Sequence, residues 1–275
     1  MDSNAPIGVF DSGLGGLTVL KALRRLLPHE NFIFVGDSVR APYGSRMPEE
    51  IVLFLKQFIA YFKSRKVKMA VCACNTMTSY AYPVLKDTAD FHLVPMNPAI
   101  IPAVEASPNK HIGVIATEAT INKQMHKSAA KLIDEEITVH DLSCPKFVPL
   151  IEAGKINGKE IKEAVAYYGR QFDHTDIHAL ILGCTHYPII KNILADYFGD
   201  EVKMIDPAFE TAKNAFEILK AKDLLNRQEA KGSLELCFSA KQENTDSMAK
   251  LILGDNIPPI KNIDLIHCAS SFFTV

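Results

Sequence analysis

The residues with the clearest capacity for chemistry stand in two short runs. One is Gly183-Cys184-Thr185-His186-Tyr187-Pro188, which follows the apolar stretch Ala179-Leu180-Ile181-Leu182. The other is Cys74-Asn75-Thr76, which follows Met69-Ala70-Val71-Cys72. Each run sets a thiol and short hydrogen-bonding side chains after a strand-like stretch and before a helix-like one, where open α/β sheets place ligands. An ordinary thiol titrates near about 8.5, and a helix N-terminus favours its anion. Both cysteines are expected at such a junction. Taken singly, each reads more simply as a core cysteine. Taken as a pair, they suit removal of a proton from one face of a carbon and its return on the other, because one thiol can be protonated while its counterpart is not.

Three further residues could poise these thiols. Asp11 ends the first apolar stretch, Pro6-Ile7-Gly8-Val9-Phe10; His186 stands beside Cys184; and Glu152 closes Val148-Pro149-Leu150-Ile151-Glu152. Their plainer roles are a helix cap, a hydrogen-bonded packing residue and an exposed helix acid, and Glu152 ranks last of the three. Other chemistries fit less well. Gly13, Gly15 and Gly16 follow a strand, but the dinucleotide fingerprint needs glycine or alanine where Thr18 stands. No Gly-Lys-Ser/Thr run makes a P-loop. Backbone amides at that helix start, with Ser12, could hold a small anion instead. Cys72, Cys74, Cys184 and His186 form a soft ligand set, yet no pair has the spacing of a structural zinc site.

The elements that must position these residues alternate. Strands are expected at Pro6–Phe10, Asn31–Val35, Val67–Cys72, Phe91–Val94, Ile112–Ile115, Ile137–Leu142, Ala179–Gly183, Leu234–Phe238 and Asn262–Ile266. Helices are expected at Leu17–Leu27, Pro48–Lys63, after Cys74, at Glu118–Ile133, Lys159–Phe172 and Ile189–Phe198, from Pro207 to Leu225, and at Asp246–Leu253. The alternation calls for an α/β fold with mostly parallel sheets flanked by helices. Ile112-Gly113-Val114-Ile115 echoes Ile7-Gly8-Val9-Phe10 about 105 residues on, and Cys184 follows Cys74 by about 110, so the pattern reads as an internal duplication. The turn signals Asn97-Pro98 and Asp206-Pro207 divide the chain into a discontinuous first domain, residues 1–97 plus 208–275, and a second, 98–207. On this reading the two similar domains are related by a pseudo-twofold, with the active site in the cleft between them.

Bulk properties narrow the class. The chain has 275 residues, 48% hydrophobic and 23% charged, with a net charge of -2, which fits a globular protein and offers no footprint for nucleic acid or an anionic membrane. No signal peptide or membrane-spanning run is visible. Six cysteines at 72, 74, 144, 184, 237 and 268 are too scattered for a disulfide framework, which points to a reduced, cytoplasmic protein.

The motifs together resemble the glutamate racemase branch of the aspartate/glutamate racemase superfamily. The resemblance runs from Pro6 to about Leu265 through Asp11-Ser12-Gly13 with Gly15-Gly16-Leu17-Thr18, Gly36-Asp37 with Pro42-Tyr43-Gly44 and Arg46, Cys74-Asn75-Thr76, Thr117 to Thr120, Cys144-Pro145 through Glu152, and Gly183 to Pro188. It implies interconversion of L- and D-glutamate without pyridoxal phosphate or metal, Cys74 taking the α-proton from the D-enantiomer and Cys184 from the L-enantiomer. It implies substrate contacts at Asp11, Ser12, Pro42, Tyr43, Gly44, Asn75, Thr76, Thr117, Thr120, Thr185 and His186, and a product that feeds bacterial peptidoglycan. Two departures are Met77, where alanine is common, and Met96-Asn97-Pro98, where Glu-Pro is usual; both bear on pocket shape or domain closure, and so on substrate preference. Aspartate or another acidic amino acid is the alternative substrate, and a non-catalytic amino-acid binding or regulatory protein the alternative class. A homodimer is left open.

Overall fold

The computed structural model describes residues 2–266; the sixth cysteine, Cys268, lies outside them. Ten strands occur in chain order: β1 (Ile7–Asp11), β2 (Phe32–Gly36), β3 (Met69–Cys72), β4 (His92–Val94), β5 (His111–Ala116), β6 (Thr138–Ser143), β7 (Ala179–Gly183), β8 (Lys203–Ile205), β9 (Leu234–Phe238) and β10 (Ile260–Asn262). The chain divides into two compact units, one taking the chain up to Met96 and again from Ala208, the other Asn97–Pro207.

The first unit is built on a parallel sheet of order β10-β9-β2-β1-β3-β4. Every residue of β1, β2 and β3 is buried, as expected of strands covered on both faces. The helix Pro48–Ser64 opens with proline and two acids, which suit the first turn, and buries Ile51, Phe54, Leu55, Phe58 and Phe62. Phe10 of β1 stacks on Phe58 with ring centroids 4.7 Å apart. Full burial of such a ring contributes about 1.5–3 kcal/mol. The helix Leu17–Leu26 buries Leu17, Val19, Leu20 and Leu23, and it packs against the helix Ala208–Ala221, so the returning segment completes this unit.

The second unit carries a parallel sheet of order β6-β5-β7-β8. Its order matches β2-β1-β3-β4 strand for strand, so the two units share one topology. The architecture is two parallel-sheet α/β domains flanked by helices.

Several elements differ from the sequence reading. The last strand is Ile260–Asn262, not Asn262–Ile266, because Asp264 Oδ1 accepts the amide of Ile266 and turns the chain. The stretch Glu118–Ile133 is two helices, Glu118–Asn122 and Met125–Ile133, broken where Gln124 takes a φ of 55°. The stretch after Cys184 begins as a 3-10 turn, Tyr187–Ile190, and becomes α-helical only at Lys191–Phe198. After Cys74 come two short helices, Asn75–Tyr80 and Tyr82–Leu85. Strand β8 is an addition, as is the short helix Ile100–Glu105.

Candidate active site

In the first unit, β1 and β3 are neighbours in register, Phe10 opposite Cys72, and the amide of Ala73 donates to Phe10 O at 2.8 Å. Asp11-Ser12 and Cys74-Asn75-Thr76 therefore leave the same edge of the sheet. The turn after β1 is held by Asp11 itself: its Oδ2 accepts from the amides of Gly13 at 3.2 Å and Gly16 at 2.9 Å. A side chain at Gly16 would put its Cβ 2.5 Å from Asp11 Cβ, so glycine is what allows the carboxylate to sit under this turn. These two amides are occupied by the chain's own carboxylate, which corrects the expectation that they hold a small anion. Asp11 thus ties down its own turn, while the helix Leu17–Leu26 that follows has no side-chain cap.

Cys74 caps the helix Asn75–Tyr80, and its Sγ lies 3.9 Å from Ser12 Oγ. Asn75 is 3% exposed, and both its Oδ1 and Nδ2 are buried without a hydrogen-bond partner. An amide left so costs about 1–3 kcal/mol for each unmet group. Thr76 is buried beside it. Met77 is fully buried in the same hydrophobic cluster as Cys74 and Tyr43.

The segment Pro42-Tyr43-Gly44 sits in a loop whose 3-10 turn runs Tyr43–Ser45. The Tyr43 hydroxyl donates to Asp37 Oδ2, and burial, then the Asp37 charge, hold its pKa well above the usual phenol range. Arg40 Nε also binds Asp37 Oδ2, and Ser239 Oγ donates to Asp37 Oδ1 at 2.8 Å. Asp37 and Arg40 were not among the expected site residues. Asp37 stood in the Gly36-Asp37 motif of the resemblance and Arg40 only in the loop that follows it, while Ser239 comes from a distant segment.

In the second unit, Thr117, Cys144 and Cys184 follow β5, β6 and β7, which end in register at Ala116, Ser143 and Gly183. Cys184 lies at a turn closed by the Tyr187 amide donating to Cys184 O at 3.0 Å. With a 3-10 turn after it, Cys184 does not stand at an α-helix N-terminus, contrary to expectation; its neighbour is an imidazole instead. Cys184 Sγ is 3.8 Å from His186 Nδ1, and His186 Nε2 is 2.6 Å from Glu152 Oε1. His186 is 3% exposed at its side chain and Glu152 16%, so Glu152 is not the exposed helix acid of its plainer role. Burial pulls the His186 pKa down, but its bonds to Cys184 and Glu152 and their charges outweigh this, and it rises well above the usual value. Nε2–H then donates to Glu152, while Nδ1 can exchange a proton with the sulfur.

Thr117 caps the helix Glu118–Asn122: its Oγ1 accepts the Thr120 amide at 3.4 Å and lies 3.0 Å from Thr120 Oγ1. Thr185 is buried next to Cys184. The structure therefore joins Cys184 to His186 and Glu152, Cys74 to Ser12, and Thr117 to Thr120, while Tyr43 turns its hydroxyl to Asp37.

The remaining described cysteines are core residues. Burial pushes the Cys72 and Cys237 thiols up to about 12 and raises Cys144 further. Among the described residues no group of three His, Cys, Asp or Glu could hold a metal ion, and no helix is long and apolar enough to cross a membrane.

A buried thiol at the carboxyl end of the third strand of each matching sheet, with polar neighbours in place, is the arrangement of an amino-acid racemase scaffold. The family described as Asp/Glu/Hydantoin racemase matches residues 7–215, and this chain belongs to it. Its similar relatives carry a more particular name. A glutamate racemase of Thermoanaerobacter pseudethanolicus is 40% identical over 96% of this chain and 99% of its own. Among solved structures, the glutamate racemase of Francisella tularensis in complex with D-glutamate is 32% identical, with a TM-score of 0.88 covering 96% of this chain and 99% of that one. The glutamate racemase of Thermus thermophilus in complex with beta-chloro-D-alanine is 33% identical, with a TM-score of 0.83 covering 96% and 99%.

Proposed function

We propose that this protein is a glutamate racemase working without a cofactor through two bases, Cys74 and Cys184. The observation that carries the reading is the chain Cys184–His186–Glu152, which gives one thiol a buried, charge-backed proton partner. From L-glutamate, the Cys184 thiolate takes the α-proton: the C–H bond breaks, an S–H bond forms and the electron pair stays on carbon. Cys74 then gives its thiol proton to the opposite face. The protein is left with a Cys184 thiol and a Cys74 thiolate, the starting state for D-glutamate. Polar ends of the substrate meet Ser12, Asn75, Thr76 and Thr185, with Thr117, Thr120 and His186 as further contacts; the unpaired Asn75 amide supports this role. Since the Tyr43 hydroxyl is spent on Asp37, the contact from Pro42-Tyr43-Gly44 falls to the main chain. Asp11 acts by shaping the turn that carries Ser12. The D-glutamate supplies peptidoglycan synthesis in the cytoplasm of a bacterium.

Incubation with L-glutamate in heavy water tests this. The expected result is D-glutamate carrying deuterium at the α-carbon, unaffected by dialysis against a chelator. Glutamate bound without exchange points to a binding protein, turnover of aspartate alone to the other substrate, and a zinc-restored loss to the metal reading. Cys74→Ala and Cys184→Ala should each abolish racemisation in folded protein, and full activity in either refutes the pair of bases.

A further inference from the structure

We infer that Arg40 is the positioning residue for the Pro42-Tyr43-Gly44 segment, holding it in place through Asp37; the inference rests on the reading of that segment as a substrate contact. Four side chains close a ring of contacts within the first unit. Arg40 Nε donates to Asp37 Oδ2 at 2.5 Å, and Tyr43 OH donates to the same oxygen. The Tyr43 ring packs on Phe54, centroids 4.8 Å apart, and the Arg40 guanidinium lies 4.0 Å over that same Phe54 ring. Arg40 Nη1 also reaches Gln57 Oε1, one turn further along the helix Pro48–Ser64.

The ring is tied to the loop at both ends. Arg46 donates from Nε and Nη2 to the carbonyl of Arg40 at 3.1 and 2.9 Å, and Ser239 Oγ accepts the Val39 amide at 3.0 Å while donating to Asp37. Asp37 is 1% exposed and Tyr43 1%, so the carboxylate that accepts from Arg40, Tyr43 and Ser239 is buried, and Arg40 is the cation in contact with it. Only a planar fork can bind Asp37 and Gln57 and stack on a ring together; a lysine ammonium cannot. The fit is not tuned for stability alone, because Arg40 Nη2 is buried with no hydrogen-bond partner.

Tyr43 carries no proton to or from the reacting carbon in the proposed mechanism, so a shift of its segment weakens substrate and transition state alike. A displacement of about 1 Å can cost on the order of 100-fold. Arg40→Met is therefore expected to raise KM about 10- to 100-fold for both enantiomers while kcat stays within about threefold, with Arg40→Lys intermediate. A readout independent of turnover is the Gly44 amide resonance of 15N-glycine-labelled protein, which should shift in Arg40→Met while most other glycine amides stay put. Unchanged KM with an unmoved Gly44 amide overturns the inference, and so does a fall in kcat at unchanged KM. If Arg40→Met does not fold, the same two measurements on Arg40→Lys decide it. A wild-type protein without racemase activity would refute the proposed function, while the Gly44 resonance would still report whether Arg40 holds the segment.

Discussion

Replacing Glu152 by glutamine keeps an oxygen within reach of His186 Nε2 and removes the charge behind it. The bond is 2.6 Å long, between a His186 side chain 3% exposed and a Glu152 side chain 16% exposed. Hydrogen bonds to a charged group contribute about 1.5–3 kcal/mol net, against about 0.5–1.5 for neutral pairs, so the change removes about 1–2 kcal/mol. At about 1.4 kcal/mol per factor of ten, the Cys184 proton transfer should slow about 5- to 30-fold. The equilibrium constant of a racemisation is unity, so kcat/KM must fall equally in both directions. The asymmetry is carried by isotope effects. With α-deuterated L-glutamate, the proposed mechanism has Cys184 remove the deuteron, so the substrate isotope effect on kcat/KM should grow. With α-deuterated D-glutamate, the same mechanism has Cys74 remove it and makes proton delivery by Cys184 the slow step, so the substrate effect should shrink while the solvent effect grows. Isotope effects that stay as in the wild type, or move the other way, would refute the assignment of Glu152 to the Cys184 side. The same substitution has a pH signature in stability. The folded His186 pKa is raised, so its contribution is complete below the unfolded value near about 6.5 and fades as pH rises through the folded value. The stability gap between wild type and Glu152→Gln should therefore narrow as pH rises.

Asn75→Leu removes two unmet buried polar atoms, so thermal stability should hold or rise by about 1 kcal/mol while glutamate binding weakens at least tenfold; a loss of stability with intact binding would deny Asn75 a ligand. His126 is 2% exposed, and burial holds its pKa at about 4, so the native state refuses a proton that the unfolded chain accepts. Stability should fall as pH drops from about 6.5 to about 4, by up to about 3 kcal/mol from this group, and urea melts of His126→Phe should show a shallower acid limb. Lys68 Nζ meets Glu30 Oε2 at 2.5 Å with both side chains inaccessible, and it also binds the carbonyls of Ser3 and Leu224. Lys68→Met should cost about 3–5 kcal/mol in a urea melt, with much of that restored by adding Glu30→Leu, because the lone carboxylate is the larger penalty.

The parts of this fold that could be read from the sequence are those where local pattern and tertiary setting agree. Fully buried strands such as Ile7–Asp11 and Ala179–Gly183 read as apolar runs with polar ends, and the echo between β1 and β5 reflects a shared strand order. The break at Gln124 was hidden because a left-handed residue there is neither glycine nor asparagine. Strand β8 has only three residues, too few for a periodicity to show. At the site, the thiols and their sequence neighbours were legible, and Glu152 was among the candidates to poise them, but which residues folding pairs was not. His186 and Glu152 lie 34 residues apart, and Ser239 is 202 from Asp37. Nothing in the pattern of either segment announces such a pairing.

Strand order makes Cys74 and Cys184 equivalents, since β3 beside β1 corresponds to β7 beside β5. Their exposures of 5% and 7% do not separate them from the core thiols, so burial alone cannot say which cysteines are reactive. What sets the two apart is the company each keeps, and that company has diverged. Cys184 has an imidazole from its own turn and, behind it, a carboxylate from the helix Phe147–Glu152. Cys74 has the Ser12 hydroxyl, and the nearby carboxylate of Asp11 is committed to the amides of its own turn. Two matching scaffolds thus carry a thiol at the same place, and the proposed proton transfers at the two would be served by different neighbours. In the proposed mechanism, substitution at Glu152 should weigh on the Cys184 step through His186, and changes in the turn that carries Ser12 should weigh on the Cys74 step.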